Sequence, residues 1–408
     1  MMQNLKEITQ ELSSFNIDID TLYQEAEAIL AKLISCNTIS SNSNMNIMEY
    51  IQNYLKEYDI PSTLIHDGME EKANIVIRVG PDVPGGLILS GHSDVVPVEG
   101  QDWHTDPFEL TDKDDGKLYG RGTCDMKGFL ATTLAMVPYW AQMDLKKPFY
   151  LLFSYDEETG CYGIQKAIPE LLNHTNQPRA VLIGEPTDMR AVVTHKGIKE
   201  YVMTFKGIEA HSSLTHRAVN AVSYAARAVN FLDELQKEII AEKDGQDEQF
   251  DPPYTTINVG IVKGGTAVNI VPNICELHWH FRFIPGFDPD RIMKPFNEFL
   301  SKLEAEMKAK NDKCSIEAEE LVVMPAFKLS EGPEAEEFIG QMLQLSESNQ
   351  TLAVAYGTEA GFIQALDLPI VICGPGSIEQ AHKPNEFVSK DQLKKSLIFL
   401  ARLSNHMI

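Results

Sequence analysis

His92, Asp125, Glu158, Glu185 and His382 are scattered over most of the chain, yet each lies in a short motif suited to holding a divalent cation. Together they offer two imidazoles and three carboxylates, and a further acid, Glu157, stands directly beside Glu158. Mixed nitrogen and oxygen donors suit borderline cations such as Zn²⁺ or Co²⁺, whereas Mg²⁺ and Ca²⁺ prefer oxygen throughout. The set suffices for two such ions sharing one carboxylate. Two metals beside a spare carboxylate point to hydrolysis.

Each motif also has a plainer reading when taken alone. In SGHSDVVP, His92 and Asp94 are two residues apart and share a side if the segment is extended, so one can bind metal while the other accepts the far ring N–H. The same residues suit a solvated turn. In YGRGTCDMKGF, glycines lead Asp125 to a helix start, where its two oxygens can span two metals or where it can act as an N-cap. SYDEETG places three acids in a row at the end of an apolar run, where they repel one another unless a cation neutralises them. IGEPT supplies Glu185 after another apolar run, and SIEQAHKPNEF supplies His382. The six cysteines show no CxxC pair and read as buried thiols, Cys124 beside Asp125 included.

The elements that must position these groups follow from apolar spacing. Helical periodicity runs over 22–34, 48–55, 128–141 and 162–172, alternating with strand-like runs at 73–80, 85–97, 149–158 and 180–186. Uniformly apolar strands between helices predict an α/β sheet covered on both faces. His92, Glu157, Glu158 and Glu185 all fall where such a run gives way to polar sequence, and the functional crevice of these sheets lies outside the carboxyl ends of the strands. From about Ala191 the order changes to strand, helix, strand, strand, helix, strand, the ferredoxin-like pattern. The chain therefore divides into a first domain of 1–191 and 327–408, interrupted by an inserted domain over 192–326, with the polar segment 242–253 as a surface loop.

Bulk properties narrow the partners. The chain has 408 residues, long enough for two cores. Its net charge of -24 argues against nucleic acid and anionic lipid surfaces. The opening MMQNLKEITQELSSF lacks a basic and apolar leader pattern, and no run of about 18 apolar residues occurs, so a cytoplasmic location without membrane association is expected.

Taken in order, SGHSDVVP, GRGTCDMKG, DEETG, GEPT, GIEAHSS and AHKPNEF resemble the M20 family of metallopeptidases and deacylases over essentially the whole chain. Within it, HKG, YGTEAGF and GPGSIEQAHKPNEF are most similar to the acetylornithine deacetylase branch. The resemblance implies a zinc-peptidase-like catalytic domain with a mixed sheet covered by helices, and a ferredoxin-like (βαββαβ) insert serving as dimerisation and lid element. It implies one metal, Zn²⁺ or Co²⁺, on His92 and Glu185, a second on Glu158 and His382, and Asp125 bridging both. Asp94 would orient His92, and Glu157 would be the general base that takes a proton from the attacking water and hands it to the leaving amine. His211 would stabilise the oxyanion in a partner subunit's site, making a homodimer the expected assembly. Asn269 and Arg282 resemble substrate contacts, Arg282 offering a fork for an α-carboxylate. Glu359 is the candidate reader of a substrate side-chain ammonium, against the alternative of a local contact at a helix start. The implied substrate is a small N-acyl amino acid, N²-acetylornithine before all; succinyl-diaminopimelate, another acylamino acid or a dipeptide is the alternative, and a noncatalytic binder is a more distant one.

Overall fold

The computed structural model describes residues 18–408. The reading of the first fifteen residues as free of a leader pattern therefore lies outside the described residues. Two compact units result, one comprising the chain through Val193 with Leu329–Leu352 and Thr358–Ile408, the other Thr194–Lys328 with Ala353–Gly357.

The first unit is built on strands β1 (Ser62–His66), β2 (Ala73–Val79), β3 (Leu87–His92), β4 (Phe149–Ser154) and β5 (Ala180–Pro186). In the second unit lie β6 (Gly197–Lys206), β7 (Thr256–Gly264), β8 (Ile274–Phe283) and β9 (Ser315–Met324); β10 (Ile370–Gly374) returns to the first. Six strands of a nine-stranded sheet run in the order β1-β2-β4-β3-β5-β10. The four strands β4, β3, β5 and β10 are parallel, while β2 and β1 add on antiparallel, so the sheet is mixed. β3, β4, β5 and β10 are buried along their whole length, as their uninterrupted apolar runs predict. β1 escapes the sequence reading because only Ile65 of its five residues is buried.

Helix Lys127–Gln142 is the innermost helix, with every residue from Lys127 to Val137 buried and a nearly uniform apolar surface, the pattern of a core helix. It packs against helices Ile19–Ser35 and Lys390–Ser404. Two local devices fix its start. Gly184 leaves room for Phe129, since a Cβ there would fall 1.9 Å from the ring. Buried Lys127 donates to the carbonyls of Leu33 and Cys36, both at 2.9 Å, satisfying the C-terminal end of Ile19–Ser35. Fully burying one such Leu, Ile or Phe contributes about 1.5–3 kcal/mol, so the depth of this core is ample to hold charged loops at its rim.

The second unit has the strand order β7-β8-β6-β9 with every pairing antiparallel. Helix Ala221–Ala241 separates β6 from β7, and helix Asp290–Lys310 separates β8 from β9. This is the ferredoxin-like arrangement expected from the element order. Alternating burial along β8 places Cys275, Leu277, Trp279, Phe281 and Phe283 in its core and leaves His278 and His280 on the other face. Among the described residues no helix is long and apolar enough to cross a membrane.

Candidate metal centre

His92 ends β3, and β4 ends at Ser154, three residues before Glu157. Glu185 lies near the end of β5, and His382 follows β10 by eight residues. All four therefore come from the carboxyl ends of parallel strands, where the fold leaves its crevice. After β4 the chain turns through Asp156, whose φ of 54° is left-handed, and Lys72 holds that carboxylate at 2.6 Å. The first of the three successive acids is thereby an ion-paired turn residue, and Glu157 and Glu158 are left to face one site.

The five candidate ligands form two sets that share a member: His92, Asp125 and Glu185 in one, Asp125, Glu158 and His382 in the other, with the donor atoms of each within 4.8 Å. Asp125 divides its oxygens between them. Oδ1 lies 2.9 Å from His92 Nε2, and Oδ2 lies 3.3 Å from His382 Nε2. His382 Nε2 is also 3.0 Å from Glu158. The N-cap alternative for Asp125 fails, because Met126 is the cap residue of the following helix and that helix start has no side-chain cap bond.

Asp94 meets His92 mainly through its main chain. His92 Nδ1 is 2.9 Å from the Asp94 backbone carbonyl but 3.6 Å from its carboxylate. The carboxylate instead accepts from Ser40 Oγ at 2.6 Å and from the backbone N–H groups of Glu157 and Glu158 at 3.1 and 3.3 Å. Asp94 thus fixes the His92 tautomer through its main chain and fixes the acidic turn through its side chain.

Glu359 requires a correction. It is 1% exposed, and its carboxylate accepts from the hydroxyls of Ser90, at 3.1 Å, and Ser154. It occupies the N-cap position of the short helix Ala360–Ile363 without a side-chain capping bond, and each of its oxygens is engaged by a serine hydroxyl rather than left open to a substrate amine. Two strand hydroxyls, one on β3 and one on β4, engage its oxygens, yet burial still pushes the carboxyl up. Cys124 is likewise spoken for: its Sγ donates to the Ser377 carbonyl at 3.2 Å, and burial pushes its thiol up, away from the thiolate that a ligand or nucleophile requires.

In the second unit, His211 caps the short 3-10 helix Ser212–Arg217 and forms a bridge with Ile270. The Asn269 carbonyl accepts from Ser212 N at 2.9 Å, so His211 and Asn269 sit on neighbouring segments. Arg282, on β8, donates through Nη1 to the Ala355 carbonyl at 3.1 Å, and burial lowers its affinity for a proton.

The donor set fits a divalent pair. Asp94, Asp125, Glu157 and Glu185 are all buried, and Glu158 is half-buried beside them. Burial first, and neighbouring carboxylates next, push the carboxyls of Glu157, Glu158 and Glu185 up; imidazolium neighbours counteract only part of this. Asp125 goes the other way: burial pushes it up, but hydrogen bonds to His382 and His92 together outweigh burial and hold it down. His382 is pushed up to about 11 by its hydrogen bonds to Asp125 and Glu158. With its proton affinity raised to about 11, His382 holds a proton across the neutral range when no cation is bound, and a divalent cation must displace it. The sign is definite. A raised His382 stabilises the metal-free fold fully below its unfolded value near 6.5 and loses that contribution as pH climbs toward about 11. Metal loading is therefore expected to release protons near neutral pH, with apparent affinity rising about tenfold per pH unit for each proton displaced. Titration calorimetry at two pH values, in buffers of different ionisation enthalpy, measures both quantities; an affinity independent of pH contradicts a protonated His382 in the metal-free protein.

Residues 88–406 match the model of peptidase family M20/M25/M40. Acetylornithine deacetylase of Pasteurella multocida (strain Pm70) is 33% identical over 380 residues, spanning 91% of this chain and 95% of the relative. An M20 family metallo-carboxypeptidase from Sulfolobus solfataricus superposes with a TM-score of 0.74 at 17% identity, over 93% of this chain and 99% of that one. A dinuclear metal-binding peptidase of the same family from Bacillus subtilis gives a TM-score of 0.62 at 13% identity, over 95% and 100%. The solved structures define the fold as that of the M20 metallopeptidases. The chain belongs to peptidase family M20/M25/M40 and is a hydrolase acting on amide bonds.

Proposed function

We propose that the chain removes the acyl group from an N-acyl amino acid, with N²-acetylornithine as substrate and ornithine and acetate as products, a step of arginine biosynthesis. The observation that carries the chemistry is Asp125, whose two oxygens face two different histidines, with the Glu157 carboxylate beside them and outside both ligand sets. The deacetylase relative, matched over nearly its full length, supports the substrate.

His92 and Glu185 would hold one Zn²⁺ or Co²⁺ and Glu158 and His382 the other, with Asp125 the carboxylate common to both sets. When bound, the ions polarise the amide carbonyl and acidify water. Glu157 takes the proton from the attacking water and delivers it to the departing amine; the turn that carries it is held by Asp94, and its raised proton affinity suits a group that must both accept and donate. Glu359, a further buried acid, lies behind Ser90 and Ser154 and takes no part in proton transfer.

His211 completes the oxyanion environment in a homodimer. Its Nδ1 accepts from Ser213 N at 3.2 Å, which leaves the proton on Nε2, the tautomer that donates to a developing oxyanion. Asn269 contacts the substrate from the segment next to His211, and Arg282 pairs with the α-carboxylate. The insert serves as the dimerisation and lid domain, and the enzyme works in the cytoplasm. A net charge of -24 favours a cationic amino acid product or substrate over an anionic one.

The test is a comparison of kcat/KM on metal-loaded protein with N²-acetylornithine, succinyl-diaminopimelate, acetylmethionine and simple dipeptides. Acetylornithine is expected to lead. A lead by the succinyl substrate or a dipeptide moves the assignment to another activity of the family, and turnover of none of them removes the deacylase reading.

A further inference from the structure

Glu386 is buried, at 1% exposed, and belongs to neither ligand set, yet both its carboxylate oxygens are bound to the loop bearing Asp125. Its Oε1 accepts from the backbone N–H of Cys124 at 2.8 Å and of Asp125 itself at 3.1 Å. Its Oε2 accepts from Gly122 N at 3.0 Å and from Arg121 Nη1 at 2.7 Å. Its own carbonyl accepts from Gly120 N at 3.0 Å. Five donors from residues 120–125 thus converge on one residue four positions after His382.

Arg121 extends the clamp. Its Nη2 donates to Gln101 Oε1 at 2.5 Å, and Gln101 Nε2 donates to the His382 carbonyl at 3.0 Å. Arg121 is also 1% exposed, and its guanidinium lies 5.1 Å from the Trp103 ring centre. The loop it joins contains Gly122, whose φ of 83° is left-handed, so the backbone that aims Asp125 has little stiffness of its own. His382 also sits at a positive φ, 61°, on a loop rather than on the sheet. Two ligands from loops far apart in the chain need an external brace, and one carboxylate with a forked cation supplies it to both.

We propose that Glu386 and Arg121 are positioning residues that fix the bridging Asp125 relative to His382 and thereby set the affinity of the two-metal centre. This deepens the two-metal reading and rests on it. The assignment separates two acids of similar burial: Glu359 answers to strand hydroxyls, whereas Glu386 answers to the main chain of a ligand.

The experiment is a zinc titration of metal-free wild type, Glu386→Gln and Gln101→Ala, with Co²⁺ absorption as a second readout. Glu386→Gln keeps the volume but turns an amide N–H₂ toward groups that are all donors. The wild type is expected to take up two equivalents. In Glu386→Gln the weaker dissociation constant should rise about 10- to 100-fold, and the Co²⁺ spectrum should shift. Gln101→Ala removes the link from Arg121 to the His382 carbonyl while leaving the Glu386 contacts to residues 120–125 in place, and should weaken one equivalent alone. Ser404→Ala, which removes the acceptor 2.7 Å from Trp140 Nε1 in the same core, serves as the control that lowers the thermal midpoint without touching metal affinity. If Glu386→Gln loses thermal stability like the control yet binds both equivalents with wild-type constants, the positioning role is overturned. Should Glu386→Gln not fold, Arg121→Lys, which keeps the charge and loses the fork, decides the matter by the same constants. A wild type that binds fewer than two equivalents overturns the two-metal reading itself, a result distinct from wild-type affinity in the variants.

Discussion

Replacing Glu157 by Gln is expected to lower kcat by at least about 100-fold while both metal equivalents remain bound, because a positioned general base contributes on that scale. The geometry separates the two outcomes. Glu157 belongs to neither candidate ligand set, whereas Glu158, one residue on, reaches His382 at 3.0 Å. The backbone N–H of Glu157 is held by the Asp94 carboxylate at 3.1 Å, and Glu157→Gln keeps that anchor because it lies on the main chain. Its side-chain oxygen meets the Cys161 thiol at 3.5 Å, a weak donor that a glutamine amide oxygen also satisfies. What the substitution removes is the ability to take up and release a proton. Metal content by elemental analysis and kcat on acetylornithine check both halves; a variant that has lost a full equivalent makes Glu157 a ligand.

The candidate ligands are readable in the sequence because several of them end apolar runs. His92 closes LILSGH, Glu185 sits in AVLIGEP, and burial of those runs is what drives a polar residue to be at the rim of a sheet. Asp125 is harder, since a glycine-rich approach to a helix equally describes an N-cap; only the positions of two histidines from distant segments separate the readings. The α/β sheet and the ferredoxin-like insert follow from periodicity, but the order β1-β2-β4-β3-β5-β10 does not, because strand pairing depends on surfaces that are adjacent only after folding. β1 is invisible to periodicity for want of a buried face.

Glu359 and Glu386 show the limit more sharply. Both are single acids in their motifs, and both end up 1% exposed. Nothing local distinguishes them. The motif around Glu359 suggests substrate binding, and the serine hydroxyls that satisfy it lie 205 and 269 residues away. Glu386 and Arg121 stand inside the motifs AHKPNEF and GRGTCDMKG with no role that residue type reveals, because three of the four donors to the Glu386 carboxylate are backbone N–H groups and the fourth, Arg121, lies 265 residues away. Asp94 is the intermediate case: its pairing with His92 is expected from spacing, yet the contact runs through its carbonyl, and its carboxylate serves a turn 63 residues later. Partners drawn from distant segments need coordinates, whether they are hydroxyls, as for Glu359, or mainly backbone N–H groups, as for Glu386.

Asp125→Ala is expected to abolish turnover and weaken both metal equivalents together. Oδ1 stands with His92 and Glu185, and Oδ2 with His382 and Glu158, so removing one side chain takes a donor from each set at once. No other described residue is common to both. The remaining donors, one imidazole and one carboxylate per set, also lose the acid whose proton affinity both histidines depress, so His92 and His382 each lose a close anionic partner. Its backbone N–H stays available to Glu386, so the loop keeps its brace and the loss reports on the side chain alone. A calorimetric titration should show both dissociation constants rising, by about 10-fold or more each, in contrast to His382→Ala, which should weaken one equivalent and spare the other. Two tightly bound ions in Asp125→Ala, with constants near those of the wild type, contradict the bridge.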